Sequence, residues 1–285
     1  MLKLYQARNS ICTQKVLITL AEKHLPFETQ SIDLFNNEQY RPAYLAINPK
    51  GVVPALDHDG RIITESTLIC EYLDDTFPEP RFIPSDPYAR TRMRKWSKAV
   101  DEGLFEATRE LSFSAMFREK MRDMTEAQRE GRFHNVGDPD KRARFMSTYE
   151  QGVESPYVLQ AIAAFEVAFR DMESALIPAN GSQRLWLVGD TMTLADINLM
   201  PFVARLAYLG LLDIWLEQRP GVQAWWSRAQ AIESFRSTVP DALTPAERTA
   251  MSAFGTNIAR RVKERRQKYL EEQTGHRSEG STGNS

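Results

Sequence analysis

Strand-type patterning in this chain stops at a proline-rich stretch, Pro78 to Pro87, and beyond it apolar residues recur only at helical spacing. That change of texture restricts the fold more than any composition figure. Before it, Leu2 to Tyr5 predicts a strand, Gln6 to Ser10 a loop, and Cys12 to His24 a helix carrying Val16, Leu17, Leu20 and Ala21. Phe27 to Leu34 predicts a second strand. Glu38 to Ile47 predicts a short helix, ended by Asn48-Pro49-Lys50-Gly51. Val52 to Leu56 and Arg61 to Ile63 predict a hairpin about the turn Asp57 to Gly60. Glu65 to Phe77 closes the series as a helix. The order β-α-β-α-β-β-α is that of a small α/β layer fold.

After the linker, helices are expected over Tyr88 to Lys120, Arg142 to Leu176, Thr193 to Leu209 and Pro220 to Glu233. Arg122 to Asp140 is polar and reads as a loop insert with short helices. Three regions follow: an α/β domain at 1–80, an all-helical domain at 88–245, and an appendage at 246–285. The appendage divides into a basic helix, Pro245 to Glu272, and a Gly/Ser-rich tail, Gln273 to Ser285, expected to be disordered. The helix leaves open an acidic partner, a membrane surface or a plain solvated face.

Composition narrows the function classes. A length of 285 residues suits about two domains. Lys plus Arg is 36 and Asp plus Glu is 38, a formal net charge of −2, so no nucleic-acid partner is expected. The two cysteines, Cys12 and Cys70, cannot form a disulfide framework, which suits a reducing, cytoplasmic setting. No secretory signal is evident at the N-terminus. The histidines are scattered, so no metal site is expected. The greasiest stretch, Leu199 to Leu216, contains Arg205 and Asp213, and reads as a buried helix and its exit rather than a transmembrane segment.

Four places carry possible chemistry. At Ser10-Ile11-Cys12-Thr13 a helix begins, and its free N–H groups and partial positive charge favour an anion such as a thiolate. Alternatively, Ser10 or Thr13 is only an N-cap and Cys12 a small buried hydrophobe. Val53-Pro54 opens a strand where proline removes a ladder donor. Glu65-Ser66 starts a helix and would suit the ammonium and carboxylate of an amino acid, or be an ordinary helix start. Thr193 to Asp196 has capping-box spacing, with aspartate in the acidic position.

In this order, these signals resemble the glutathione transferase family from about Leu2 to Pro240. The best-defined parts are Ile47-Asn48-Pro49-Lys50-Gly51-Val52-Val53-Pro54 and Thr64-Glu65-Ser66-Thr67. The resemblance implies a thioredoxin-like N-terminal domain followed by an all-helical C-terminal domain. It implies glutathione as co-substrate, a hydrophobic aromatic electrophile, and a homodimer. It also implies roles. Val53, before a cis Pro54, would pair with the cysteinyl backbone of glutathione; Glu65 and Ser66 would hold the γ-glutamyl end. Gln39 and Lys50 would lie near the glycyl carboxylate. Ser10, Cys12 and Thr13 are the candidates for the sulfur. Phe105, Phe113 and Phe117 are candidates for the wall of the aromatic pocket, or for core.

A narrower likeness, over Glu65 to Pro78, Arg94-Lys95-Trp96 and Val100-Asp101-Glu102, is to bacterial glutathione-dependent β-aryl etherases. Those have Asn-Ser where Cys12-Thr13 stands here. Cys12 is placed as in zeta-type isomerases and reductive dehalogenases. Cleavage of a β-aryl ether, Cys12-based dehalogenation or isomerisation, and a non-catalytic interaction module are therefore the readings to separate.

Overall fold

A computed structural model describes residues 1–280. The chain forms two compact units that interleave along the sequence. The first comprises Met1–Glu102, Met172–Arg205 and Pro220–Glu247; the second comprises Gly103–Asp171, Leu206–Arg219 and the chain from Arg248.

The first unit is built on β1 (Leu2–Gln6), β2 (Phe27–Ser31), β3 (Ala55–His58) and β4 (Arg61–Thr64), in the order β2-β1-β3-β4. β1 pairs with β2 in parallel, Leu4 opposite Thr29, and with β3 antiparallel, Leu4 opposite Leu56. β4 completes the hairpin with Leu56 opposite Ile63. Leu2 and Leu4 fall on one face of β1 and are buried, as a two-residue period requires. α1 (Ile11–Glu22) and α3 (Ser66–Thr76) pack together, burying Val16, Ile18 and Leu20 from α1 with Ile69, Cys70 and Leu73 from α3.

Both strand ends moved inward from expectation for local reasons. β2 stops at Ser31 because Asp33 Oδ1 accepts from the N–H groups of Phe35 and Asn36, at 2.9 and 3.0 Å, and turns the chain away. β3 begins at Ala55, not Val52, because Pro54 has no N–H for the ladder. The expected linker is anchored. Asp74 accepts from the N–H groups of Phe82 and Ile83, both at 2.9 Å, and pairs with buried Lys23 at 2.7 Å.

The helix expected over Tyr88 to Lys120 runs from Pro87 to Arg122 with two interruptions. α4 (Pro87–Ala99), α5 (Phe105–Ser112) and α6 (Arg118–Arg122) are joined by π-helical turns at Val100–Leu104 and Phe113–Phe117. Each such turn shifts the helical register by about one residue, too little to break the apolar spacing visibly. The expected loop insert is more ordered than its composition implies. α7 (Glu126–Asn135) starts at a full capping box, Thr125 with Gln128, and α8 (Pro139–Gln151) starts at Asp138. The single helix expected over Arg142 to Leu176 is two, because Pro156 starts α9 (Pro156–Leu176) and Ser155 precedes it in extended geometry.

α10 (Leu194–Tyr208), α12 (Pro220–Ala231) and α13 (Glu233–Thr238) contribute to the first unit. Asp196 ties α10 to α12 and to the segment before α10. Its carboxylate accepts from Thr193 N at 2.9 Å, Leu187 N at 3.0 Å and Trp225 Nε1 at 2.9 Å. Burial pushes its pKa up, against the lowering by these donors. It is the capping residue of a buried helix, the structural side of the sequence reading.

In the second unit Trp215, on α11 (Asp213–Leu216), is fully buried against Phe165 and Phe169 of α9. α14 (Pro245–Gly280) extends beyond the expected end at Glu272. The expectation for 281–285 lies outside the described residues. α14 is fastened by its basic run. Arg261 bonds to Glu154, Arg265 to the carbonyls of Val153 and Ser155, and Arg266 to Glu166, which also binds Arg219. Gly255 admits the closest approach: a Cβ there would lie 1.7 Å from the Leu209 carbonyl oxygen. Among the described residues, no helix is long and apolar enough to cross a membrane.

Candidate active site

The residues singled out for glutathione all fall in the first unit. Ser10 is the N-cap of α1, and its hydroxyl accepts from Thr13 N at 3.4 Å. Cys12 and Thr13 occupy the first turn, where backbone N–H groups lack helical partners. Thr13 is fully buried, and its Oγ1 has no hydrogen-bond partner. Cys12 is half-buried as a residue. Burial of its thiol pushes the pKa up, and only in part do the Lys15 ammonium and a hydrogen bond with Ser66 oppose this.

Lys15 is the residue that sequence reasoning missed. It is completely buried on α1, and its Nζ donates to Ser66 Oγ at 3.0 Å and Thr67 Oγ1 at 2.6 Å. Thr67 Oγ1 in turn donates to Asp101 Oδ1 at 2.8 Å, and Asp101 Oδ1 lies 3.7 Å from Lys15 Nζ. The starts of α1 and α3 are thus tied through one buried cation. The available signal was position: Lys15 follows Ile11 by four and precedes Ile18 by three, in a buried stripe.

Glu65 and Ser66 sit where expected, at the start of α3. Glu65 has φ 67° and ψ 110°, a conformation unfavourable for a side chain with Cβ. Its carboxylate pairs with Lys50 Nζ at 2.6 Å, an exposed contact. Gln39 is buried, with Oε1 unpartnered. Gly51, at φ 60°, brings the Lys50 turn against Gln39 and Tyr40; a Cβ there would lie 2.9 Å from the Tyr40 ring and 3.2 Å from the Gln39 carbonyl oxygen. The bond Val53–Pro54 is cis. The β1–β3 ladder ends at Tyr5 opposite Ala55, so the Val53 backbone stands outside it.

Phe105, Phe113 and Phe117 belong to the second unit. Phe113 is buried and meets Phe145 edge-on at 5.2 Å between centroids; Phe105 and Phe117 are half-buried. The Arg109 guanidinium lies over the Phe145 ring at 4.4 Å, a charge the aromatic spacing did not announce.

Comparison with known proteins identifies the family. The family "Glutathione S-transferase, N-terminal domain" matches residues 4–81, and "Glutathione S-transferase, C-terminal domain" matches residues 142–226. The chain is 32% identical over 236 residues to Protein LigF of Sphingobium sp. strain SYK-6, covering 81% of this chain and 90% of that protein. The crystal structure of that Beta-etherase LigF aligns with TM-score 0.74 at 30% identity, over 84% of this chain and 99% of that one. A maleylacetoacetate isomerase of Pseudomonas aeruginosa is 41% identical over 96 residues, 33% of this chain and 45% of the isomerase. A glutathione transferase homolog from sulfitobacter, with bound glutathione, shares the fold at TM-score 0.59 and 22% identity, over 86% of this chain and 99% of that one. With a mixed four-stranded sheet, a helical remainder and matches to both family domains, the chain belongs to the glutathione S-transferase family, whose co-substrate is glutathione.

Proposed function

We propose that the protein ionises the thiol of glutathione at the start of α1 and delivers it to a hydrophobic aromatic electrophile, a β-aryl ether being the first class to test. The observation that carries this reading is the place of Ser10: its hydroxyl caps α1, 3.4 Å from Thr13 N, at a helix start whose first-turn N–H groups lack helical partners. Burial that pushes the Cys12 thiol up supports Ser10 over Cys12 as the partner of the glutathione sulfur. A free thiol titrates near 8.5, so lowering it by about two units takes about 2.7 kcal/mol. A hydroxyl donor and the helix N-terminus are of the right order to supply it.

The thiolate attacks the carbon bearing the ether oxygen. A C–S bond forms, the C–O bond breaks, and the phenoxide leaves with the electron pair and takes a proton from solvent. The likeness to Beta-etherase LigF supports this choice of substrate. In this reading Val53 pairs with the cysteinyl backbone, Glu65 and Ser66 hold the γ-glutamyl end, and Gln39 and Lys50 face the glycyl carboxylate. Phe105, Phe113 and Phe117 line the aromatic site. A cytoplasmic homodimer is the expected form.

Calorimetry with millimolar glutathione tests the binding, and a panel of aryl ethers and halogenated aromatics tests the turnover. Ser10→Ala should abolish most of the rate, while Cys12→Ala should leave it near wild type. Absence of glutathione binding ends the reading. Binding without any turnover would leave a non-catalytic interaction module. The match to the maleylacetoacetate isomerase favours one alternative, isomerisation, here through Cys12; loss of rate only in Cys12→Ala would select Cys12-based chemistry, isomerisation or dehalogenation.

A further inference from the structure

The loop presenting Ser10 has each of its carbonyls occupied, and one partner comes from far along the chain. Ala7 O accepts from Ser10 N at 2.8 Å, within the loop. Arg8 O accepts from Gln14 Nε2 at 3.2 Å, from α1. Asn9 O accepts from Arg205 Nη2 at 2.7 Å, and the same nitrogen reaches Asn9 Oδ1 at 2.7 Å. Arg205 lies on α10 and is 7% exposed. The Asn9–Ser10 peptide is planar. It is therefore pinned at both ends, its oxygen by Arg205 and its N–H by Ala7 O. Fixing that plane sets the direction in which Ser10 leaves the backbone. A guanidinium on a carbonyl is a charge-assisted bond, stronger than a neutral one.

We propose that Arg205 is a positioning residue for Ser10: it holds the Asn9–Ser10 peptide so that the hydroxyl meets the glutathione sulfur. This rests on the reading that Ser10 serves that sulfur. Arg205→Met keeps an apolar stem of similar reach and removes both hydrogen bonds to Asn9. Arg205→Lys keeps a charge without the planar fork. Asn9→Ala removes one of the two acceptors and leaves the carbonyl.

The test is titration of the glutathione thiol in the binary complex, followed by the ultraviolet absorbance of the thiolate, together with steady-state kinetics. Arg205→Met should raise the apparent thiol pKa by about one unit, about a tenfold loss of thiolate well below that pKa and about a threefold loss at neutral pH. It should lower kcat by about the same factors, with KM for glutathione changed less than about twofold. Arg205→Lys should recover part of the shift, and Asn9→Ala should show a smaller shift of the same sign. In a Ser10→Ala background, Arg205→Met should shift nothing further, because the residue acts through the hydroxyl. An unshifted titration in Arg205→Met, or an equal shift with Ser10 absent, overturns the proposal. If Arg205→Met does not fold, an unshifted titration in both Arg205→Lys and Asn9→Ala overturns it. A wild-type protein that binds no glutathione would instead defeat the functional reading itself.

Discussion

Lys15 and the arginines of α14 are both basic groups that hold helices in place, yet they differ in visibility. The run Arg260 to Lys268 dominates the charge pattern of the C-terminal region. Its members Arg261, Arg265 and Arg266 are committed to Glu154, to the turn at 153–155, and to Glu166. Lys15 is a single charge inside an apolar helix, and it ties Ser66 and Thr67 to the start of α1. The difference teaches that a charge is informative by how far it has been withdrawn from water. Where no solvent competes, a cation must find partners, and those partners become fixed.

The sharpest way to break the comparison is at Glu166, which bonds to both Arg219 and Arg266 in the buried part of the second unit. Glu166→Gln leaves two guanidiniums without a counter-charge and should cost about 3–5 kcal/mol. Urea unfolding monitored by tryptophan fluorescence measures it, and a loss under 1 kcal/mol (roughly a surface pair's worth) would make the clamp decorative.

Gly255→Ala comes next. Its Cβ would meet the Leu209 carbonyl, so α14 must move, at about 1–3 kcal/mol. Hydrogen exchange should quicken along α14 while glutathione affinity stays unchanged. A protected α14 in the variant contradicts the close packing.

Lys15→Met sharpens the other side. It removes charged hydrogen bonds to Ser66 and Thr67, and stability should fall by about 2 kcal/mol, partly discounted because Asp101 is half exposed. Glutathione affinity should fall with it, which is the contrast with Gly255→Ala. Unchanged affinity would make Lys15 purely a packing device.

The smallest effect concerns pH. Burial lifts the Cys70 thiol from its ordinary value of 9.0 to about 11. A raised folded-state value means the folded protein keeps its proton longer than the unfolded chain. Stability from this group is therefore complete below about 9 and is lost as pH rises toward about 11. Thermal melts across that interval should show a decline that Cys70→Ala abolishes. An identical decline in the variant assigns it to other groups.

Much of the first unit was legible because its signals are local. The Asn48-to-Gly51 turn, the proline before β3 and the capping spacing of Thr193 and Asp196 each act within a few residues. The π-helical turns were not legible, since widening a helix by one residue per turn leaves composition unchanged. The site residues separated in the same way. Ser10, Glu65 and Ser66 announce themselves as helix starts, whereas Asp101 and Arg205 act across sequence separations of 34 and 196 residues.

By itself, the sequence determined an α/β layer followed by helices, because strand alternation and helical spacing are periodic and short-range. Through its ordered motifs it also pointed to the family and to glutathione. Only the tertiary structure decided which polar groups lose water and which distant partners replace it. That is why the Cys12 thiol is pushed toward its neutral form, why Lys15 stands between two helix starts, and why Arg205 reaches the loop that carries Ser10.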